Sequence, residues 1–287
     1  MGITGSMFDL LLEESKSGRF LGKTVLQLGR QKAYFSTMNA IHRMKKMGVD
    51  STPYAHLLEN RSLLDDQILF QLLGFAKVES IDFSPYEGAT HIWDLNQPVP
   101  DVLKGQYDLV FDGGTMEHIF NPIQVLANVH DLLKADGMII HQNPAHNFVD
   151  HGYFTFSPTF FYEYYETNQY KIIRSLLLEC RSLYSKNWKA YEYQKGLFSR
   201  ASNGVFGKKL ITNWFVAEKQ PASTKGVVPQ QAIYTIPWKG IKDPERRINK
   251  LRSFLKQIPF LFDMVLKFRE AVSQRKCMHL LKSGRLF

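Results

Sequence analysis

The sequence predicts a Rossmann-like α/β fold, a doubly wound and mostly parallel sheet of seven strands flanked by helices, with a basic helical extension at the C-terminus. Three observations predict it. Short apolar, β-branched or aromatic runs recur between residues 23 and 217, separated by helical or loop segments. Three of the runs finish at an acid, Asp82, Asp94 and Asp112, where chemistry collects in an open parallel sheet. Finally, the stretch from Tyr107 to His141 holds strand, glycine turn, helix, turn and strand in about 35 residues, the length of a crossover unit.

In chain order, residues 1–7 (MGITGSM) place a Gly-Ser pair before Met7 and read as an added tag, although Gly2 and Ser6 also fit the loose myristoylation pattern. Residues 8–17 form a leading helix, which completes an N-terminal portion over 1–20. The first strand is 23–28 (KTVLQL), ending at Gly29, and residues 38–47 have helical character. A helix follows over 63–73, with Leu64, Ile68 and Leu72 on one stripe and Gly74 as its stop. Strands are expected at 76–83 (AKVESIDF) and at 90–94 (THIWD), the latter before the turn-prone Asn96-Gln97-Pro98.

The central unit opens with the strand 107–111, which stops at Asp112-Gly113-Gly114. Asn121-Pro122 starts a helix that carries Ile123, Leu126, Val129 and Leu133 at helical spacing, Asp136-Gly137 ends it, and 138–141 is the fifth strand. Residues 170–178 and 210–217 supply the last two strands, separated by a polar and aromatic insertion at 181–207. The main domain thus spans 21–219. A Pro, Ser, Gly and Gln-rich linker covers 220–231, and the extension covers 232–287. In the extension, helices are expected at 244–257 and 259–274. The second sets Leu261, Met264, Val265, Phe268 and Val272 on one face among Lys267, Arg269 and Arg275.

A hydrophobic content of 44% over 287 residues suits a globular chain with a full core. No apolar run approaches the roughly 18 residues that cross a bilayer, and no secretory pattern opens the chain, so a cytoplasmic protein is expected. Cys180 and Cys277 stand apart and suggest neither a disulfide framework nor a zinc site. The net charge of +9 is local. Residues 221–287 hold 14 Lys or Arg against 4 Asp or Glu, so the first 220 residues sum to about −1. A nucleic-acid enzyme is therefore not indicated. The basic segment 244–285 is instead expected to cap the domain, meet a protein partner or lie on an anionic membrane surface. Tyr184, Trp188, Tyr191, Tyr193 and Phe198 among the cations of the insertion read as a lid or acceptor loop.

The strand-end acids Asp82, Asp94 and Asp112 resemble the layout of class I S-adenosylmethionine-dependent methyltransferases. The run FDGGTMEHIFNPIQVLANVHDLLKADGMII is similar to their fourth and fifth strand region. Together with DFSPYEGATHIWDLNQPVP and HGYFTFSPTFFYEYY, it resembles a bacterial methyltransferase-like group associated with polysaccharide biosynthesis, over roughly residues 21–219. That resemblance implies S-adenosylmethionine as cofactor, with Gly29 in the glycine turn, Asp82 on the ribose hydroxyls, Asp94 and Leu95 flanking the adenine, and Asp112 with Gly113 near the methionine end. The chain departs from the family after its first strand, where LQLGRQKAYF keeps Gly29 alone and adds Arg30, a candidate partner of the cofactor carboxylate.

Methyl transfer requires an aligned acceptor and, for a hydroxyl, removal of its proton. His118, directly after Glu117, is the first candidate for that work and His146 the second, with His141 and His151 also near the predicted mouth. The spacing of His141, His146, Asp150 and His151 matches no metal pattern, so no metal is expected. The implied function is methyl transfer to a hydroxyl or amine of a small molecule or glycan precursor. The alternative is a catalytically inactive protein of the same fold that binds through its basic tail.

Overall fold

The computed structural model describes residues 2–59, 62–183, 185, 188–193, 204–231, 264–265, 267–268, 271–272, 275 and 284–286. In chain order these build α1 (Gly5–Ser15), β1 (Thr24–Leu28), β2 (Lys32–Ser36), α2 (Thr37–Lys46), α3 (Ala55–Leu58), β3 (Leu63–Asp65), α4 (Asp66–Leu72), β4 (Lys77–Asp82) and β5 (His91–Ile92). Then come β6 (Tyr107–Asp112), α5 (Pro122–Leu132), β7 (Leu133–His141), β8 (Pro144–His146), α6 (Pro158–Thr167), β9 (Lys171–Cys180), β10 (Lys189–Glu192), β11 (Leu210–Glu218) and β12 (Arg285–Leu286). No described helix is long and apolar enough to cross a membrane.

All seven expected strands are present. They run side by side as β5-β4-β1-β6-β7-β11-β9, with β12 and β10 added beyond β9. The pairings β4–β5, β1–β4, β1–β6 and β6–β7 are parallel, and only β11 runs against its neighbours β7 and β9 in this set. The order reverses between β1 and β6. That is the switch point of a doubly wound sheet, where a crevice opens beyond the strand C-termini. β1 and β6 are central and covered on both faces, so their apolar side chains are continuous rather than alternating.

One face of the sheet packs on α1, α2 and α4, and the other on α5 and α6. Ile3, Met7, Phe8, Leu10, Leu11 and Leu12 are fully buried, so the N-terminal segment contributes to the core. Ile3 bridges Ala33, and Thr4 caps α1 by accepting from the Met7 amide. Asp65 caps α4 through the Ile68 amide, which makes residues 63–65 the strand β3 and shortens the expected helix. β3 pairs with β2 in a small separate sheet, and β2 follows the first glycine turn directly. α5 begins at Pro122 with Asn121 as its cap. It ends at Leu132, four residues before Asp136, because the chain enters β7 at Leu133.

The expected linker is strapped to the domain at 223–227. Lys225 pairs with Asp131 at 2.6 Å, and Asn168 accepts from Thr224 and Val227. Within the insertion, β10 pairs with β9, and Trp188, Tyr191 and Tyr193 are buried. These three rings therefore pack the sheet edge. Tyr184 and Phe198 lie outside the described residues, as does the helix expected over 244–257. In the second C-terminal helix Met264, Val265, Lys267, Phe268, Ala271, Val272 and Arg275 are helical.

Candidate active site

A cleft of about 300 Å³ opens beyond the C-terminal ends of β1, β4 and β6, lined by Gly29, Arg30, Gln31, Asp82, Thr115 and His118, with Gly2, Lys32, Tyr34, Glu87 and Gly114 at its rim. A larger hollow of about 390 Å³, lined by Lys23, Asp108, Ala135 and Met138 among others, lies at the opposite ends of the strands. The first is the candidate site, since ligands of such sheets collect at the C-terminal switch point.

The wall made by β1 is a tight turn. Gly29 has φ +71°, and a Cβ there would sit 2.6 Å from Thr115 Oγ1, which donates to the Leu28 carbonyl at 2.5 Å. Two carboxylates hold the turn from beneath. Asp82 accepts the Arg30 amide at one oxygen (3.2 Å) and the Ser84 amide at the other (3.2 Å). Asp66, buried at the start of α4, accepts from Gln27 Nε2 (3.0 Å) and Arg30 Nε (2.8 Å). Arg30 Nη1 reaches on to the Gly88 carbonyl at 2.8 Å. Through Nε and Nη1 its guanidinium ties α4 to the loop after β4, while Arg30 also lines the cleft.

The wall made by β6 rests on a buried network. Asp112 is fully buried and accepts from Thr115 N (3.0 Å) and Met116 N (3.2 Å) at Oδ1, and from His141 Nδ1 (2.8 Å) and Asn143 Nδ2 (2.9 Å) at Oδ2. Burial pushes this carboxyl up, but the His141 and Asn143 donors outweigh it and hold Asp112 below the usual carboxylate range. His141 Nε2 is also hydrogen-bonded to the Tyr165 hydroxyl at 2.7 Å. Asp112 therefore organises the wall from behind and does not itself line the cleft. Asn143 also donates to Glu117 Oε2 at 2.9 Å, tying the two buried acids together.

Glu117 Oε1 lies 3.9 Å from His118 Nε2 and 3.7 Å from His151 Nε2. The three ligating atoms lie within 4.8 Å of one another. The loop carrying His151 is locked in place. Tyr153 N and Phe154 N both donate to the Glu117 carbonyl (2.8 and 3.2 Å), and a Cβ on Gly152 would fall 2.8 Å from that same oxygen. His118 is half-buried. That burial lowers its pKa, the Glu117 carboxylate opposes the shift, and the net direction is downward, so the imidazole is neutral at neutral pH.

The cleft thus gathers Gly29, Arg30, Asp82 and His118 from the expected set, with Glu117, Asp112 and Gly113 directly behind its walls. Three others lie elsewhere. Asp94 turns its Oδ1 to the amide and side chain of Asn96, and Leu95 is buried with its carbonyl accepting from Asn128. His146 is exposed on β8, beside the Phe206 ring. Asp66 and Thr115 carry no motif of their own in the sequence, and Asn143 is marked only as the start of a hydrogen-bonding and aromatic run over 143–157. The only available signal was that an acid at a helix start and an amide after a strand each stand where loops converge.

No family model and no curated protein matches the sequence. Among solved structures, the chain is similar to 1,6-didemethyltoxoflavin-N1-methyltransferase from Burkholderia thailandensis, with 1,6-didemethyltoxoflavin and S-adenosylhomocysteine bound (13% identity, 74% of this chain and 78% of that chain, TM-score 0.41). It is also similar to geranyl diphosphate methyltransferase in complex with SAM (9% identity, 75% and 85%, TM-score 0.41) and to a SAM-dependent methyltransferase from Aquifex aeolicus (13% identity, 73% and 88%, TM-score 0.39). Likeness at this level says nothing of individual residues or substrates. The Rossmann-like α/β fold rests on the strand order of the chain itself.

Proposed function

We propose that the chain is an S-adenosylmethionine-dependent methyltransferase acting on a hydroxyl or amine of a small molecule or glycan precursor. The observation that carries this reading is the cleft at the sheet's switch point, with Asp82 on one wall and His118 on the other. The residues present suit the cofactor. Each Asp82 oxygen accepts one backbone N–H and can accept a second donor, which suits a ribose diol. Gln31 Oε1 is buried without a partner among the described residues and is an acceptor for an ammonium group. A volume of about 300 Å³ stands at the lower end of the range for small-ligand pockets.

When bound, the cofactor supplies a methyl group on a sulfonium. Asp82 and Gln31 would hold and orient it, while the glycine turn lets the backbone come close. His118, neutral at neutral pH, would take the acceptor's proton. Phe120 and Tyr153, exposed and with ring centroids 5.5 Å apart edge to face, form an apolar shelf next to that histidine and would seat a ring or sugar face. Residues 232–287 are proposed as a basic extension that meets a membrane surface or partner and takes no part in the cleft, with β12 tying its far end to the sheet.

Calorimetry with S-adenosylmethionine and S-adenosylhomocysteine tests the reading. Micromolar binding to the wild type is expected, with at least a tenfold loss in Asp82→Ala and little change in His118→Ala. Absence of heat for both ligands would sink it and leave a non-catalytic protein of the same fold.

A further inference from the structure

We infer that Glu117, His118 and His151 form a binding site for a divalent first-row transition metal ion, zinc in the first instance, beside the cleft. Two imidazole nitrogens and one carboxylate oxygen converge there, at 3.7 and 3.9 Å between Glu117 Oε1 and the two Nε2 atoms and within 4.8 Å overall. Ligands about 2.0–2.2 Å from a shared tetrahedral zinc stand roughly 3.4 Å apart, so the two Glu117 pairs need only a few tenths of an ångström of closure, while the two imidazoles, within 4.8 Å of each other, close by up to about 1.4 Å through side-chain rotation of the half-exposed His118.

The polar atoms point to a missing occupant. Glu117 is fully buried, yet its Oε1 has no hydrogen-bond partner among the described residues, and neither has the buried Nε2 of His151. A carboxylate oxygen buried without a donor is expensive, and a cation removes that penalty. The other oxygen of Glu117 is already fixed by Asn143, the kind of outer contact that orients a metal-binding carboxylate. The His151 loop is pinned to the Glu117 carbonyl by two amides and by a glycine with no space for a Cβ, so the third ligand is held before any ion arrives. Two imidazoles disfavour calcium and magnesium, which prefer all-oxygen shells.

Three protein ligands leave coordination positions open, and His118 already lines the cleft. An ion here would bind an acceptor hydroxyl or a water molecule and lower its pKa, and His118 would then act as ligand, not base. That role rests on the methyl-transfer reading of the cleft, whereas ion binding itself does not.

The test is titration of the chelator-treated full chain with zinc by calorimetry and with cobalt(II) by visible absorption, without cofactor. One ion per chain and cobalt bands between about 500 and 700 nm are expected, with affinity falling about 100-fold or more in His151→Ala and in Glu117→Gln. His56→Ala, which removes an exposed imidazole elsewhere, should leave affinity unchanged. His151 sits in a loop and is 28% exposed, so its removal spares the core, which thermal unfolding of the variant checks. Equal binding by wild type and both variants, or no stoichiometric binding by the wild type, overturns the inference. Neither result touches the calorimetry with S-adenosylmethionine, so the two proposals fail separately.

Discussion

Gly29 carries two demands at once. Its backbone is left-handed at φ +71°, and Thr115 Oγ1 occupies the space where a Cβ would go. Gly29→Ala should therefore lose about 1–2 kcal/mol to the backbone conformation and a similar amount from displacing the Thr115 hydroxyl off the Leu28 carbonyl. Adding Thr115→Ala relieves the contact but not the backbone strain, so the double variant should be more stable than the sum of the singles predicts. Urea denaturation measures all three, and strict additivity would contradict the close approach. The need for this glycine is legible in the sequence, since a lone Gly after an apolar run marks a turn. The partners of the turn are not. Asp66 meets Arg30 across 36 positions and Asn143 meets Glu117 across 26, and nothing local marks such contacts. For the same reason the sequence groups His151 with His141 and His146, whereas in the fold its neighbours are Glu117 and His118.

At the scale of elements, apolar runs gave away β1, β6, β7 and β11 because these strands lie inside the sheet and are buried along most of their length, while β4 and β5 were marked by the acids at or just after their ends. β2, β3 and β10 lacked that mark, since each is short and only partly buried, β2 and β3 in a two-stranded sheet of their own and β10 one strand in from the edge of the main sheet. The junction of α5 and β7 shows how a boundary is set from outside. Lys219 Nζ donates to the His130 and Leu133 carbonyls at 2.7 and 2.9 Å, satisfying acceptors that the end of α5 leaves unpaired. His130 Nδ1 meets the Tyr170 hydroxyl at 2.8 Å, and burial, then the Lys219 charge, push its pKa from 6.5 down to about 4. The unfolded chain takes up this proton near pH 6.5 and the folded chain only near 4. Between those values the unfolded state binds more protons, so stability rises with pH there. The contribution is complete above about pH 6.5 and is lost progressively as the pH falls towards 4. His130→Gln should flatten the wild-type decline in urea midpoint between pH 7 and 5. An unchanged slope would show that His130 titrates alike in both states.

For the molecule as a whole, the cleft and the charge are separate. Every described residue lining the cleft falls between Gly2 and His118, and the proposed metal ligands add only His151, whereas the excess of basic residues in the sequence lies beyond 221. The described contact between the far tail and the sheet is β12 against β10, on the edge opposite β5. A chain ending at Gln231 should accordingly bind the cleft's ligands within about twofold of the full chain, as expected for sites without shared partners. The cut must fall there rather than after Lys219. Ending at 219 would remove the Lys225–Asp131 pair and the Thr224 and Val227 contacts to the buried Asn168, leaving that amide's acceptor unpaired at a loss of about 1–3 kcal/mol. Sedimentation with anionic vesicles at low and high salt reads the other half of the prediction. The full chain should bind and be released by salt, since attraction between exposed charges is screened within about 8 Å at physiological ionic strength, while the shortened chain should not bind. Retention of vesicle binding after the cut would place the attraction in the near-neutral domain, and loss of cleft binding would make the tail part of the site.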